Sequence, residues 1–292
     1  MKIVGLTVVR NEAWIIGLTL RTALRWVDEE VVLLHACSDG TREIVDKVAA
    51  ENPGRVTILE EKDPVWMEMD HRQRTLDRGR ERGGTHFAII DADELPTSNI
   101  IGQLRGWCGR LRPAQLLDLP MIPVWDGLEM YRCDPGGIWS GTWITLAFRD
   151  FEALFWKAKD DGYQYHSRPP YRSLCEVPDR LRFLDRETEG GIMHLQFASK
   201  RRFLAKHAHY KMEEVVRWPG REPNIVIDRK YSVVTKEDGA KLKECRPEWW
   251  EGYDKQLVDL EHVPWHEAEC KKMWKQYGPG KFKWMNLFGL VP

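Results

Sequence analysis

The run Phe87-Ala88-Ile89-Ile90, followed at once by Asp91-Ala92-Asp93-Glu94, constrains the fold more than any other stretch of this chain. Four consecutive apolar residues without alternation read as a short strand buried on both faces, the kind found inside a parallel sheet covered by helices. Ligands of such sheets bind outside the carboxyl ends of the strands, so the acids stand where chemistry is expected. Asp91 and Asp93 are two residues apart, so a small turn can aim both carboxylates at one hard cation, and Ala92 leaves room for a bulky group to approach. Oxygen ligands of this kind suit Mg²⁺ or Mn²⁺, which bind through one or two carboxylates and the phosphates of a substrate. The same residues also suit a polar strand-to-helix turn, with an acid capping a helix before Pro96.

The flanking chain repeats the strand, turn, helix order. Ile3 to Val9 reads as a buried strand, followed by Arg10-Asn11-Glu12 and a helical pattern through Trp14, Ile15, Leu18 and Trp26. Val31 to Leu34 is a second strand, closed by Ser38-Asp39-Gly40-Thr41 before a helix over 42–51. Asp-Gly is a turn signal, and Asp39 at the sheet edge can also accept hydrogen bonds from a base or ribose. Val56 to Leu59 is a third strand, and a helix over 70–82 ends at Gly83-Gly84. That helix carries Arg72, Arg74, Arg78, Arg80 and Arg82, most of them expected on a solvated face. The alternation predicts a doubly wound, largely parallel sheet.

Composition excludes several classes. Lys and Arg number 44 against 45 Asp and Glu, so no global field argues for nucleic acid or membrane. With no apolar run of eighteen residues and no signal-peptide pattern, a soluble, cytoplasmic protein without a membrane span is expected. The six cysteines are scattered without a C-x-x-C, which argues against a zinc knuckle or a disulfide framework.

The four motifs Thr7-Val8-Val9-Arg10-Asn11-Glu12, Ser38-Asp39-Gly40-Thr41, the arginine-bearing helix and Ile89-Ile90-Asp91-Ala92-Asp93-Glu94 together resemble glycosyltransferase family 2 with the GT-A fold. The resemblance spans about the first 100 residues and rests on the order and spacing of the motifs. It implies an α/β fold with a GT-A-like mixed, mostly parallel sheet flanked by helices, and a nucleotide-diphosphate sugar donor, a UDP-sugar first. Val9, Arg10, Glu12 and Asp39 would hold the nucleotide, Arg74 or else Arg72 would contact it, and Asp91 and Asp93 would hold the ribose and a Mn²⁺ or Mg²⁺ ion. Ser38 stands where the family more often doubles the Asp, which leaves the base open. A late His acts as a further metal ligand in many GT-A enzymes, and His194 resembles it.

Beyond residue 100 the argument is physical. Trp125 to Gly137 reads as a polar, turn-rich loop between strand-like stretches 116–124 and 143–148, and for an inverting reaction Asp126, Glu129 and Asp134 are the candidate bases. Near Phe197 a strand ends, Ser199 can cap the next helix, and Lys200, Arg201 or Arg202 could neutralise a leaving diphosphate there. His207 and His209 are expected on that helix's surface. Residues 150–190 show no usable motif, and Trp249, Trp250, Tyr253, Leu257, Leu260 and Trp274 predict a Trp-rich helical C-terminal segment. The expected organisation is a GT-A-like domain over 1–215, with a nucleotide-binding half to residue 100 and an acceptor-side half beyond it, and a helical extension over 216–292. The acceptor would be the hydroxyl of a glycan, a small molecule or a modified DNA base. The rival expectation is a nucleic-acid-binding or DNA-modifying protein using Arg72–Arg82 and Lys200–Lys211 as a basic track and tryptophans as stacking surfaces. A third is a catalytically silent GT-A-like scaffold.

Overall fold

The computed structural model describes residues 1–134, 141–156, 167–172, 178–184, 189–232 and 240–292. Its described residues form a mixed α/β fold in two compact units. The first comprises Met1–Ile122, Gly141–His194 and Arg246–Asp259. It is built on strands β1 (Ile3–Val9), β2 (Glu29–His35), β3 (Val56–Glu61), β4 (His86–Ile89), β5 (Glu94–Pro96), β6 (Leu116–Pro123), β8 (Trp143–Arg149), β9 (Arg180–Leu181) and β10 (Ile192–His194). They make one sheet in the order β3-β2-β1-β4-β8-β6-β10-β5, with β9 beside β6. The first four sheet positions are parallel, as the alternation of strands and helices requires. Then β8 runs antiparallel to both β4 and β6, which makes the sheet mixed.

Helices α1 (Ile16–Ala23), α2 (Thr41–Glu51), α3 (Glu68–Glu81) and α4 (Ile101–Cys108) cover this sheet. Under α3, Met69 and Leu76 pack with Val4, Leu6, Val31 and Phe87, all nearly inaccessible to water. At the far end of the sheet a side chain at Gly191 would bring its Cβ within 2.2 Å of the Pro120 carbonyl oxygen, so β10 approaches β6 only because this residue is glycine.

Expectations for the C-terminal stretch and for the acid run fail here. Residues 249–260 are not an α-helix but two single 3-10 turns, Pro247–Trp249 and Lys255–Leu257. Pro247, Gly252 with φ of 69° and Pro264 interrupt the helical spacing. The segment instead packs on the first unit: Trp249 is fully buried, the Tyr253 hydroxyl donates to the Pro96 carbonyl, and Asp259 N–H donates to the Trp14 carbonyl at 2.8 Å. Likewise, the acid run does not cap a helix before Pro96, because Glu94–Pro96 is itself strand β5.

The second unit comprises Pro123–Ser140, Leu195–Cys245 and Leu260–Pro292, so it takes in 195–215 along with the C-terminal helices. It holds α5 (Lys200–Arg217), α6 (Asn224–Ser232), α7 (Trp265–Tyr277) and a small antiparallel pair, β7 (Met130–Arg132) with β11 (Leu242–Glu244). Ser199 caps α5 as expected, accepting from the Arg202 N–H. His207 and His209, expected at the surface, are buried, because α5 is enclosed by α6 and α7. The His207 Nδ1 lies 2.9 Å from the Phe203 carbonyl, one turn back.

Candidate functional site

Because β1, β2 and β4 are parallel, the turns that follow them share one edge of the sheet. The first two are tied together by short polar contacts. Asp39 accepts from the Thr41 N–H and hydroxyl at 3.1 and 2.6 Å and from the Ala13 N–H at 3.1 Å. Glu12 N–H donates to the Thr41 hydroxyl, Ser38 N–H to the Asn11 side chain, and the Cys37 thiol to the Val9 carbonyl. Val9, Arg10, Glu12 and Asp39, assigned to one nucleotide site in the sequence, are thereby brought together. Asp39 is also the side chain that closes the turn into α2, so its structural work is evident. Arg10 reaches across to the Pro64 carbonyl at 3.0 Å.

The acid run forms the turn between β4 and β5, closed by Glu94 N–H donating to the Asp91 carbonyl at 3.1 Å and held against α1 by the Thr19 hydroxyl on the Ala92 carbonyl. Antiparallel pairing then sets His194 opposite Glu94. Four carboxylates meet here, Glu68, Asp91, Asp93 and Glu94, and two guanidiniums answer them. Arg72 from the first turn of α3 donates to Glu68 at 2.9 Å and to Asp91 Oδ1 at 3.0 Å. Arg168 donates to Asp91 Oδ2 at 2.8 Å, Glu94 Oε1 at 2.9 Å, and the carbonyls of Thr145 and Ile89 at 2.6 and 3.0 Å. Its other terminal nitrogen meets Glu94 Oε2 at 2.6 Å. Burial opposes the ionisation of Asp91, yet Arg72 and Arg168 hold its carboxyl below the ordinary range. Glu94 is moved the other way: burial raises it against the pull of Arg168, with Asp91 adding repulsion.

Asp93 has a different neighbour. Its Oδ2 lies 3.6 Å from His194 Nε2, and both side chains are largely buried. Adjacent ligands on one cation with bonds of about 2.1 Å lie roughly 3 Å apart, so this pair is close enough that it could supply two ligands to one divalent cation. Among the described residues no group of three or more His, Cys, Asp and Glu side chains is arranged to hold a metal alone. Asp91, assigned to the same ion in the sequence, has both oxygens engaged by arginine.

Several assignments separate on inspection. Arg72 is the α3 arginine that reaches the acid turn, whereas Arg74 turns to Glu61 at 2.5 Å and the Glu60 carbonyl. The remaining arginines of α3, and Arg82 just after it, also meet acids: Arg78 with Glu81, Arg80 with Asp150 and Arg82 with Glu29. The expected basic track on this helix is therefore a set of ion pairs. Arg72 is moreover buried rather than solvated.

In the second unit, Asp126 and Glu129 are exposed, the former at a backbone φ of 49°. Asp134 is bound by Arg132 at 2.5 and 3.2 Å, which holds its carboxyl below the ordinary value. Residues 135–137 of the expected loop lie outside the described residues, and 130–132 are strand β7. Lys200 is exposed at the start of α5. Arg202 is 3% exposed and donates to the His262 carbonyl, while Arg201 pairs with Glu267 at 2.6 Å. Lys211, counted in the second basic track, is fully buried.

Arg168 escaped sequence reasoning. It precedes Pro169-Pro170 in a stretch without periodicity, and only its tertiary contacts reveal it.

No family model matches this sequence. No curated protein matches it either. Among solved structures the chain is similar to S. aureus TarS 1–349, with a TM-score of 0.43 and 13% identity over 80% of this chain and 71% of that one. The complex of the same protein with UDP-GlcNAc gives 0.43 and 12% over 95% of this chain and 93% of that one. At this level the likeness assigns no residue role and no ligand to the present chain.

Proposed function

We propose that this chain is a glycosyltransferase that moves a sugar from a nucleotide-diphosphate donor, a UDP-sugar first, to an acceptor hydroxyl, and that it acts in the cytoplasm. The acceptor is a glycan, a small molecule or a modified DNA base. One observation carries the reading: at the carboxyl edge of the parallel strands, beside the joined turns of Val9 to Glu12 and Ser38 to Thr41, four carboxylates face two guanidiniums and leave Asp93 beside His194. Acidic groups gathered in a largely buried turn at the edge of a sheet are a common mark of a binding site.

In this reading Asp93 and His194 would hold Mn²⁺ or Mg²⁺, which would supply charge neutralisation at the diphosphate. Arg72 and Arg168 keep Asp91 ionised and fixed, with its remaining acceptor capacity turned to the ribose. Asp39, Glu12, Arg10 and the Val9 backbone line the base side. Taken by itself, the second unit offers the exposed Lys200 rather than the buried Arg202 to a phosphate, and Asp126 and Glu129 rather than the Arg132-bound Asp134 as proton acceptors.

Titration calorimetry with UDP, GDP, CDP and dTDP, with Mn²⁺ and with chelator, tests the reading on wild type and Asp93→Asn. Metal-dependent binding of one nucleotide that the substitution abolishes is expected. Absence of binding by all four would overturn it.

A further inference from the structure

Residues 270–292 contain five lysines, Lys271, Lys272, Lys275, Lys281 and Lys283, and no Asp, Glu or Arg. Part of this stretch is fixed: Phe282 and Leu287 pack with Ala208, Met212 and Cys270. From that packed base Trp284 projects with 70% of its surface exposed, and the Lys283 ammonium lies over its ring at 4.7 Å. The Asn224 side chain donates to the Lys281 and Lys283 carbonyls at 2.9 and 3.0 Å, which sets the start of α6 beside it. There Ile225 and Val226 are each 43% exposed. Asp228 of α6 is bound to Lys211, and Lys272 pairs with Glu269 at 3.4 Å, so the charge of this surface rests on Lys275, Lys281 and Lys283.

We propose that this surface of the second unit docks on an anionic phospholipid bilayer, an attachment that does not depend on the glycosyltransferase reading. A tryptophan and two aliphatic side chains beside Lys281 and Lys283 match the interfacial zone, where indole and alkyl groups enter the headgroup boundary and ammonium groups meet lipid phosphates. A nucleic acid fits less well, because aliphatic tips have no counterpart on it and the forked guanidinium suited to paired phosphate contacts is missing from the segment.

Co-sedimentation of the full chain with phosphatidylcholine vesicles, with and without phosphatidylglycerol, decides the matter, with circular dichroism confirming that each variant is folded. Wild type is expected to partition to the anionic vesicles and to be released by high salt. Each lysine near the surface is worth about fivefold, so the combined Lys275→Gln, Lys281→Gln, Lys283→Gln variant should lose roughly 100-fold. Trp284→Ala, at an exposed position, should lose several-fold. Absent sedimentation, equal binding to neutral vesicles, or tighter binding to duplex DNA that the same substitutions abolish would each overturn the proposal.

Discussion

Two of the clusters in which this molecule buries charge are built on opposite plans. In the second unit the fully buried Lys211 ammonium donates to Asp228 at 2.8 Å, the Ser232 hydroxyl at 2.9 Å and the Asn286 carbonyl at 2.7 Å, so each of its three protons has an acceptor. One cation meets one carboxylate, and the cluster pins α6 and the C-terminal segment to α5. The acid turn of the first unit is richer in acids: among the described residues Glu68, Asp91, Asp93 and Glu94 gather about Arg72 and Arg168. A one-to-one cluster can serve the fold alone, whereas a cluster rich in acids is where the proposed cation would bind.

The sharpest test of that contrast exchanges charge for apolar volume. Arg168→Met leaves Asp91 and Glu94 buried with one guanidinium fewer and should cost about 3–5 kcal/mol in urea denaturation. Lys211→Met should cost a similar amount alone, but pairing it with Asp228→Leu should return most of the loss, since a balanced pair can be replaced by packed apolar groups. An Arg168→Met, Glu94→Leu double variant should not recover wild-type nucleotide binding even where it recovers stability. If it does, the two clusters are of one kind.

Glu30 extends the comparison, because its charge is removed by a proton rather than by an arginine. It is fully buried on β2 above Gly5, where any Cβ would come within 1.9 Å of its Oε1. Burial moves its pKa from 4.5 to about 8, against weaker contributions from Thr7 and Arg55. The fold's preference for the protonated form is complete below pH 4.5 and is lost as pH rises to about 8. Wild type should therefore lose several kcal/mol across that window, and Glu30→Gln should remove most of the slope. On the acid side, burial and the neighbouring His35 ring at 4.7 Å lower His71 to about 4. That stability is present above the ordinary value of 6.5 and lost as pH falls toward 4, so a melting-temperature profile should fall on both sides.

Asp93→Asn should separate stability from function. Removing one of the four carboxylates relieves repulsion, so the melting temperature should rise slightly, corresponding to about 1 kcal/mol, while metal-dependent nucleotide binding disappears. A fall in both would make Asp93 a structural acid and erase the contrast with Lys211.

Much of this was legible in the sequence, for stated reasons. Strands such as Ile3–Val9 and the run into Asp91 declared themselves because burial on both faces writes an uninterrupted apolar word. The turns at Glu12 and Asp39 were legible because turn chemistry is local. What could not be read was pairing over distance. Arg168 lies 77 positions from Asp91, in a segment with no periodicity. The ion pairs that cancel the α3 arginines come from β2, β3 and the segment after β8 as well as from α3 itself. Residues 249–260 kept helical spacing while Gly252 within them and the flanking Pro247 and Pro264 broke the helix, and Trp249 found its core in the first unit. Periodicity reports which residues seek cover, and topology decides what covers them.

The smallest effects close the comparison at the protein surface. Arg78 and Glu81 form an exposed pair on α3, with side-chain exposures of 44% and 63%. Water and salt screen such a pair, so Arg78→Ala should change stability by less than about 0.5 kcal/mol and leave nucleotide binding untouched. Arg72→Ala, six positions earlier on the same helix, should abolish nucleotide binding, because it frees Asp91 Oδ1 and Glu68 together. Arg74→Ala decides between two orientations: its guanidinium points to Glu61 and Glu60, so its loss should leave the nucleotide affinity of wild type intact. If Arg74→Ala weakens binding as much as Arg72→Ala, charge along the whole helix matters rather than the one guanidinium that reaches the acid turn, and the imbalance at Asp91 to Glu94 is not what selects the ligand.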